Sequence, residues 1–192
     1  MKLKIFLWDV MFDFNLGFAI RDIYMLGNGL IDLIVFDPRH LLTDKIESVT
    51  QYSGFAVEHY ENLSRLDSEE AAIDYIQSYP NRIVFTIPDE EVATDVNDFN
   101  FLPNDLIIFG NEHYGIPPRI SQLASKKIII PMYGSVYSRP DFDGQVTNVG
   151  IQRCLSLHTS ISIIMYLAVR NLTHYGDWRT TFHAPFDFDK VE

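Results

Sequence analysis

Six short runs of Ile, Val, Leu and Phe, most of them followed by a stretch of helical spacing, constrain this chain more than any other feature. The runs are Lys4–Trp8, Leu30–Phe36, Gly54–His59, Arg82–Ile87, Asp105–Phe109 and Lys127–Pro131. Most lack the in-out alternation of a strand with one wet face, and strands covered on both faces read this way. The predicted fold class is therefore α/β, a mostly parallel six-stranded sheet with helices on both faces. Ligands of such sheets gather beyond the carboxyl ends of the strands. That directs attention to the loops after Trp8, Phe36, His59, Ile87, Phe109 and Pro131.

The intervening stretches predict helices at Gly17–Leu26, with Gly27 as a C-cap, and at Leu41–Tyr52. Another begins at Asp67, which with Glu70 three residues on has the form of a capping box. Its apolar residues Ala71, Ala72, Tyr75, Ile76 and Tyr79 keep helical spacing, and Pro80 stops it. Leu155–Val169 is apolar almost all round, so it is expected to be buried or to form a subunit interface. With 192 residues and no repeat or linker, one domain is expected. The final residues hold Tyr175, Trp178, Phe182, Phe186 and Phe188, and are expected to pack on the body as an aromatic tail.

Composition excludes several classes. A 47% hydrophobic and 21% charged chain has an ordinary globular balance, which argues against intrinsic disorder. No apolar run reaches the roughly 20 residues that span a bilayer, so no membrane association is expected. Asp9 interrupts the apolar start and no cleavage site follows, which argues against a signal peptide. Cys154 is the only cysteine, which rules out an internal disulfide and fits a reducing, cytoplasmic setting. The histidines at 40, 59, 113, 158, 174 and 183 lack metal-ligand spacing, so no metal is expected. A formal charge of −11 repels nucleic acid at long range, so RNA binding would need basic residues clustered on one face or supplied by a partner.

Three loops carry candidate chemistry. After the fifth run comes Phe109-Gly110-Asn111-Glu112-His113-Tyr114-Gly115-Ile116-Pro117, whose glycines permit close backbone approach to a ligand and whose Glu112 stands at a strand end. The plain alternative is a strand-to-helix turn with a solvated glutamate. After the sixth run comes Ile130-Pro131-Met132-Tyr133-Gly134, where Met132 lines either an adenine pocket or the core. Near the start stands Asn15-Leu16-Gly17-Phe18-Ala19-Ile20-Arg21. Arg21 has the planar fork that suits phosphate, or it is a surface arginine paired with Asp22 or Asp13. Cys154 reads as a thiol near a helix start or as a small packed residue.

Together and in this order, the three motifs resemble those of the SpoU-type RNA 2′-O-ribose methyltransferases of the SPOUT superfamily. The resemblance runs from about Lys4 to Asn171, nearly the whole chain. Asn15 to Arg21 is similar to that family's Asn-x-Gly-x-x-x-Arg, and Phe109 to Pro117 keeps every fixed position of its Gly-x-Glu-x-x-Gly-x-Pro. The resemblance implies a C-terminal trefoil knot, S-adenosylmethionine as cofactor, an RNA substrate (tRNA or rRNA), and a homodimer built through the first and last helices. It assigns catalytic roles to Arg21, Asn15, Glu112 and Ser156, and cofactor contacts to Ile87, Gly110, Glu112, Gly115, Ile130, Met132, Gly134, Cys154 and Leu155. It divides the chain into a methyltransferase domain, 1–171, with an insertion near 135–152, and the tail, 172–192.

Two departures accompany the resemblance. The family's third motif continues within a few residues to Ser-Leu-Asn, which is aligned here with Cys154-Leu155-Ser156, the downstream Tyr166-x-Ala168 keeping register. The other register places Ser156-Leu157-His158 there, and both lack the asparagine. The insertion near 135–152 holds Arg139, Asp141 and Asp143 beside the expected pocket, with Arg153 just past it. A ribose hydroxyl is a poor nucleophile, so its methylation depends on alignment and on stabilising developing negative charge. The enzyme reading is an S-adenosylmethionine-dependent RNA 2′-O-ribose methyltransferase. The alternative is a catalytically weak or inactive SPOUT-fold protein that binds S-adenosylmethionine or RNA. A different α/β nucleotide-binding enzyme rests on fold class alone.

Overall fold

A computed structural model of the chain describes residues 2–27, 30–87, 92–132 and 155–173. Gly134, Cys154, the expected insertion near 135–152 and the tail from 174 lie outside the described residues. Among the described residues seven strands form one sheet: β1 Leu3–Trp8, β2 Ile31–Phe36, β3 Leu63–Leu66, β4 Ile83–Thr86, β5 Thr94–Asp95, β6 Leu106–Phe109 and β7 Lys126–Ile129. Their order is β3-β2-β1-β6-β4-β7-β5, and every pairing is parallel.

The central strands alternate between two cores. Leu3, Ile5 and Leu7 of β1 join Leu33, Val35 and Ile107 beneath α1 (Asp13–Gly27) and α7 (Leu157–Thr173). Phe6 and Trp8 join Ile34, Phe36, Phe85 and Ile108 on the other face, beneath Ala72 and Ile76 of α5 (Glu69–Gln77). Both faces of one strand are thus dry, which explains why most of the runs lack in-out alternation. Each such buried side chain contributes about 1.5–3 kcal/mol against exposure. On the first face α1 also packs on α3 (Ile46–Ser53) at Gly17. A Cβ there would stand 2.5 Å from Tyr52 Cβ and 2.9 Å from the Val49 carbonyl oxygen, so only glycine permits this approach.

Several expectations are corrected. Gly54–His59 is not a strand: Gly54 and Phe55 take positive φ (59° and 66°), and Ala56–His59 forms a short helix, α4. The strand after it is β3, a half-buried edge piece reading Leu-Ser-Arg-Leu. The sheet has seven strands rather than six because β5 is only two residues long, too short to leave a sequence signal. The helix expected over Leu41–Tyr52 breaks at Lys45 (φ −122°) into α2 (Leu41–Asp44) and α3. The cap of α5 is Ser68, whose hydroxyl accepts from the Ala71 amide at 3.1 Å, whereas Asp67 pairs with Arg65 at 2.5 Å. Helix α1 begins at Asp13 and includes Gly27, while α7 starts at Leu157 and continues to Thr173. A short helix, α6, covers Pro118–Ser121. No helix among the described residues is long and apolar enough to cross a membrane.

Candidate active site

The order of the sheet reverses between β1 and β6, and this places the loops after Trp8 and Phe109 side by side. Crevices at such reversals hold ligands in parallel α/β folds. Glu112, two residues beyond the loop's first glycine, turns back across this junction. One carboxylate oxygen accepts from the Met11 backbone N–H at 2.9 Å, and the other accepts from Asn15 Nδ2 at 2.8 Å. Glu112 is therefore not a solvated turn residue. It clamps the start of α1 to the loop after β6, and Asn15, 5% exposed, is buried at that clamp.

The loop itself is folded tightly. Asn111 and Gly115 exchange backbone hydrogen bonds of 2.9 Å in both directions. A Cβ on Gly110 would stand 2.5 Å from the Gly115 carbonyl carbon, while Gly115 takes φ +70° with open space where its Cβ would be. Asn111, 4% exposed, donates from Nδ2 to the Asp9 carbonyl oxygen at 2.6 Å and accepts at Oδ1 from the His113 amide at 2.8 Å.

Asp9, which interrupts the first apolar run in the sequence, is a second carboxylate of the junction. It is 6% exposed and takes φ +48°. Arg39, beyond β2, donates to it from Nε at 2.7 Å and from Nη2 at 3.2 Å, and the Tyr114 hydroxyl also donates to it. Burial raises the Asp9 pKa above its ordinary value, and the Arg39 guanidinium opposes that rise. Sequence reasoning did not assign Asp9, Arg39, Asn111 or Tyr114 to the site. A carboxylate closing a largely buried strand was the available signal for the first; the others are joined to it only by folding.

The third segment enters through α7. His158, the second residue of that helix, brings Nδ1 to 3.3 Å from Asn15 Oδ1, and its ring lies 5.2 Å from that of Phe18. Ser156, exposed just before α7, instead shares a 2.7 Å hydrogen bond with Thr159. Leu155 is half-buried. The structure thus joins Asn15 and Glu112 and adds His158 to them, while Ser156 stands outside this network.

Arg21 does not meet Asn15 or Glu112. It lies on the exposed face of α1, and among the described residues it makes no hydrogen bond or ion pair. The expected surface pairings are absent: Asp22 is engaged by the Ser162 hydroxyl, and Asp13 accepts from the Phe14 amide at 2.8 Å. Ile87, Ile130 and Met132 are half-buried residues at the carboxyl ends of β4 and β7. With Gly110 beyond β6, the expected cofactor contacts follow three strands that are neighbours in the order β6-β4-β7.

Comparison with known proteins adds a family signal to this geometry. The model described as the SpoU rRNA Methylase family matches residues 2–138. No curated protein sequence matches the chain. Among solved structures, the SpoU methyltransferase AviRb from Streptomyces viridochromogenes in complex with the cofactor AdoMet superposes with a TM-score of 0.67 at 23% identity, covering 90% of this chain and 61% of that one. A structure described as giving insight into the 2-OH methylation of C/U34 on tRNA has a TM-score of 0.69 at 21% identity, covering 90% and 97%. The A. aeolicus TrmH/SpoU tRNA modifying enzyme has a TM-score of 0.65 at 21% identity, covering 90% and 76%. The chain spans about three fifths of the length of AviRb. These similarities show a shared fold.

Proposed function

Because the chain belongs to the SpoU rRNA Methylase family, we propose that it transfers a methyl group from S-adenosylmethionine to a ribose 2′-hydroxyl of tRNA or rRNA. The observation that carries this reading is the adjacency of the three expected cofactor loops. Gly110, Ile87 and Ile130–Met132 follow β6, β4 and β7, which lie side by side. The residues present fit such a cofactor: the open face of Gly115 leaves backbone accessible, and half-buried Ile87, Ile130 and Met132 offer apolar surface to an adenine. Gly134, Cys154 and Leu155 complete the contact set in this reading.

When bound, S-adenosylmethionine supplies the electrophilic methyl group. The chain supplies placement and charge. Glu112 and Asn15 hold the loop after β6 against the start of α1, fixing the wall beside the reacting centre. Arg21 stabilises negative charge developing on the ribose oxygen. On this chain it is exposed on α1, and in this reading it serves the site of a second copy. A homodimer built through α1 and α7 has that consequence, and exposed Met25 and Tyr166 on these helices support it. Ser156 contributes a hydroxyl near the ribose. A trefoil knot at the carboxyl end, through the segment between β7 and α7, and a cytoplasmic location belong to the same reading. The domain then comprises 1–171, with 135–152 inserted beside the pocket and 172–192 packed on the body.

The test is incubation with radiolabelled S-adenosylmethionine and total RNA, followed by nuclease digestion and identification of the labelled nucleoside. Label in a 2′-O-methylated nucleoside that disappears with Arg21→Ala supports the proposal. Cofactor binding by calorimetry without label points to the inactive binder, and neither binding nor label overturns both readings as far as the cofactor is concerned.

A further inference from the structure

One hydrogen-bonded path crosses three distant segments. It runs from His158 on α7 to Asn15 on α1 and on to Glu112 in the loop after β6, where the Met11 amide closes it. We propose that His158 is a positioning residue of this site, held as its Nδ1–H tautomer, that orients the Asn15 amide and through it the Glu112 carboxylate. The proposal deepens the methyl-transfer reading and rests on it for its functional meaning.

The direction of each bond follows from donor and acceptor inventory. An ionised carboxylate only accepts, so the Asn15 group 2.8 Å from Glu112 is its NH₂. Glu112 is thereby what assigns the amide its orientation. The Asn15 oxygen consequently faces His158 at 3.3 Å, and an oxygen without hydrogen requires a donor. Nδ1 therefore carries a proton, in the neutral ring and in the cation alike. The ring is steadied by Phe18, which itself packs against Tyr52 at 5.5 Å. Loss of the donor leaves a buried amide oxygen unpaired and free to turn. A turned Asn15 presents oxygen to the carboxylate of Glu112, which detaches α1 from the loop after β6. His158 also occupies the place that the less favoured register of the third motif assigns to the family's asparagine. The Nδ2–H of an asparagine and the Nδ1–H of a histidine stand at the same reach from the backbone, so both residues can hold Asn15.

Two experiments on the full chain test this. Long-range ¹H–¹⁵N spectra of histidine-labelled protein, with His158 assigned by its loss in His158→Asn, report the tautomer without RNA or cofactor. A neutral ring protonated at Nδ1 supports the proposal, and one protonated at Nε2 overturns it. In the methyl-transfer assay, His158→Asn keeps kcat within about threefold, whereas His158→Gln and His158→Ala lower kcat about 10²-fold with little change in cofactor KM, the size expected when placement slips by an ångström. Equal activity of Asn, Gln and Ala variants overturns it, as does rescue by Gln but not Asn. A wild-type protein that transfers no methyl group overturns the functional reading, while the tautomer still decides the role of His158.

Discussion

Two carboxylates at the carboxyl edge of the sheet, Asp37 beyond β2 and Glu112 beyond β6, do the same chemistry at opposite ranges. Each accepts hydrogen bonds through both of its oxygens. Asp37 takes the Leu41 and Leu42 amides at 2.8 and 2.9 Å, capping the helix that begins four residues after it. Glu112 takes Met11 and Asn15, about a hundred residues away in the chain. A local cap stabilises its own turn whatever the rest of the molecule does. A distant clamp sets the relative position of two loops, so its loss is read in geometry before it is read in stability.

The largest expected effect on stability is at Asp37. It is 2% exposed, and Asp37→Ala leaves two backbone N–H groups without acceptors, each worth about 1–3 kcal/mol when buried. Arg65 keeps Asp67 as a partner, which limits the further loss. Urea denaturation is expected to show about 3–4 kcal/mol of destabilisation in total. Glu112→Gln is expected to cost less, about 1–2 kcal/mol, because glutamine still accepts one of the two bonds. Its methyl transfer is expected to fall about 10²-fold in the labelled-cofactor assay. Equal stability losses at both positions, with activity intact in Glu112→Gln, would erase the contrast.

Ser68→Ala sharpens the contrast from the local side. The Ser68 hydroxyl makes one neutral capping bond to Ala71 at an exposed helix start. Its loss is expected to cost about 1 kcal/mol, visible as a small drop in denaturation midpoint, with no effect on methyl transfer. This is the same kind of interaction as Asp37 makes, without burial and without charge.

The same division explains what the sequence disclosed. The dry central strands were legible to within a residue or so because burial on both faces leaves runs such as Leu3–Trp8 and Ile31–Phe36 apolar except at the half-buried Lys4 and Asp32. The edge strands were not: β3 is half-buried and β5 has two residues, so neither carries a run long enough to read. Gly54–His59 looked like a strand because its apolar residues were counted without the two positive φ angles that turn it. In the candidate site, Glu112 and Asn15 were legible as motif positions. Their contact with each other and with His158 depends on three segments meeting, which no local pattern records. The Asp67 capping box failed for a smaller reason: Ser68, one residue on, competes for the same role and wins.

Asp9 lies between the two regions, and there the smallest effect is expected. It closes β1 and is held from the β2 side by Arg39 and from the β6 side by Tyr114. Burial raises its pKa from the ordinary 3.8, and the Arg39 pair offsets part of that. A carboxyl whose pKa is raised on folding binds its proton more tightly folded than unfolded. As pH rises from 3.8 through that raised value, the folded state therefore loses stability relative to the unfolded state, and above it the loss is complete. Asp9→Asn, which does not titrate and tolerates the positive φ, removes this dependence. Urea titrations at a series of pH values should show wild type losing ground to Asp9→Asn across that window and then running parallel to it. The opposite slope would mean that the Arg39 ion pair outweighs burial, and Asp9 would then stand with Asp37 as a stabilising carboxylate rather than between it and Glu112.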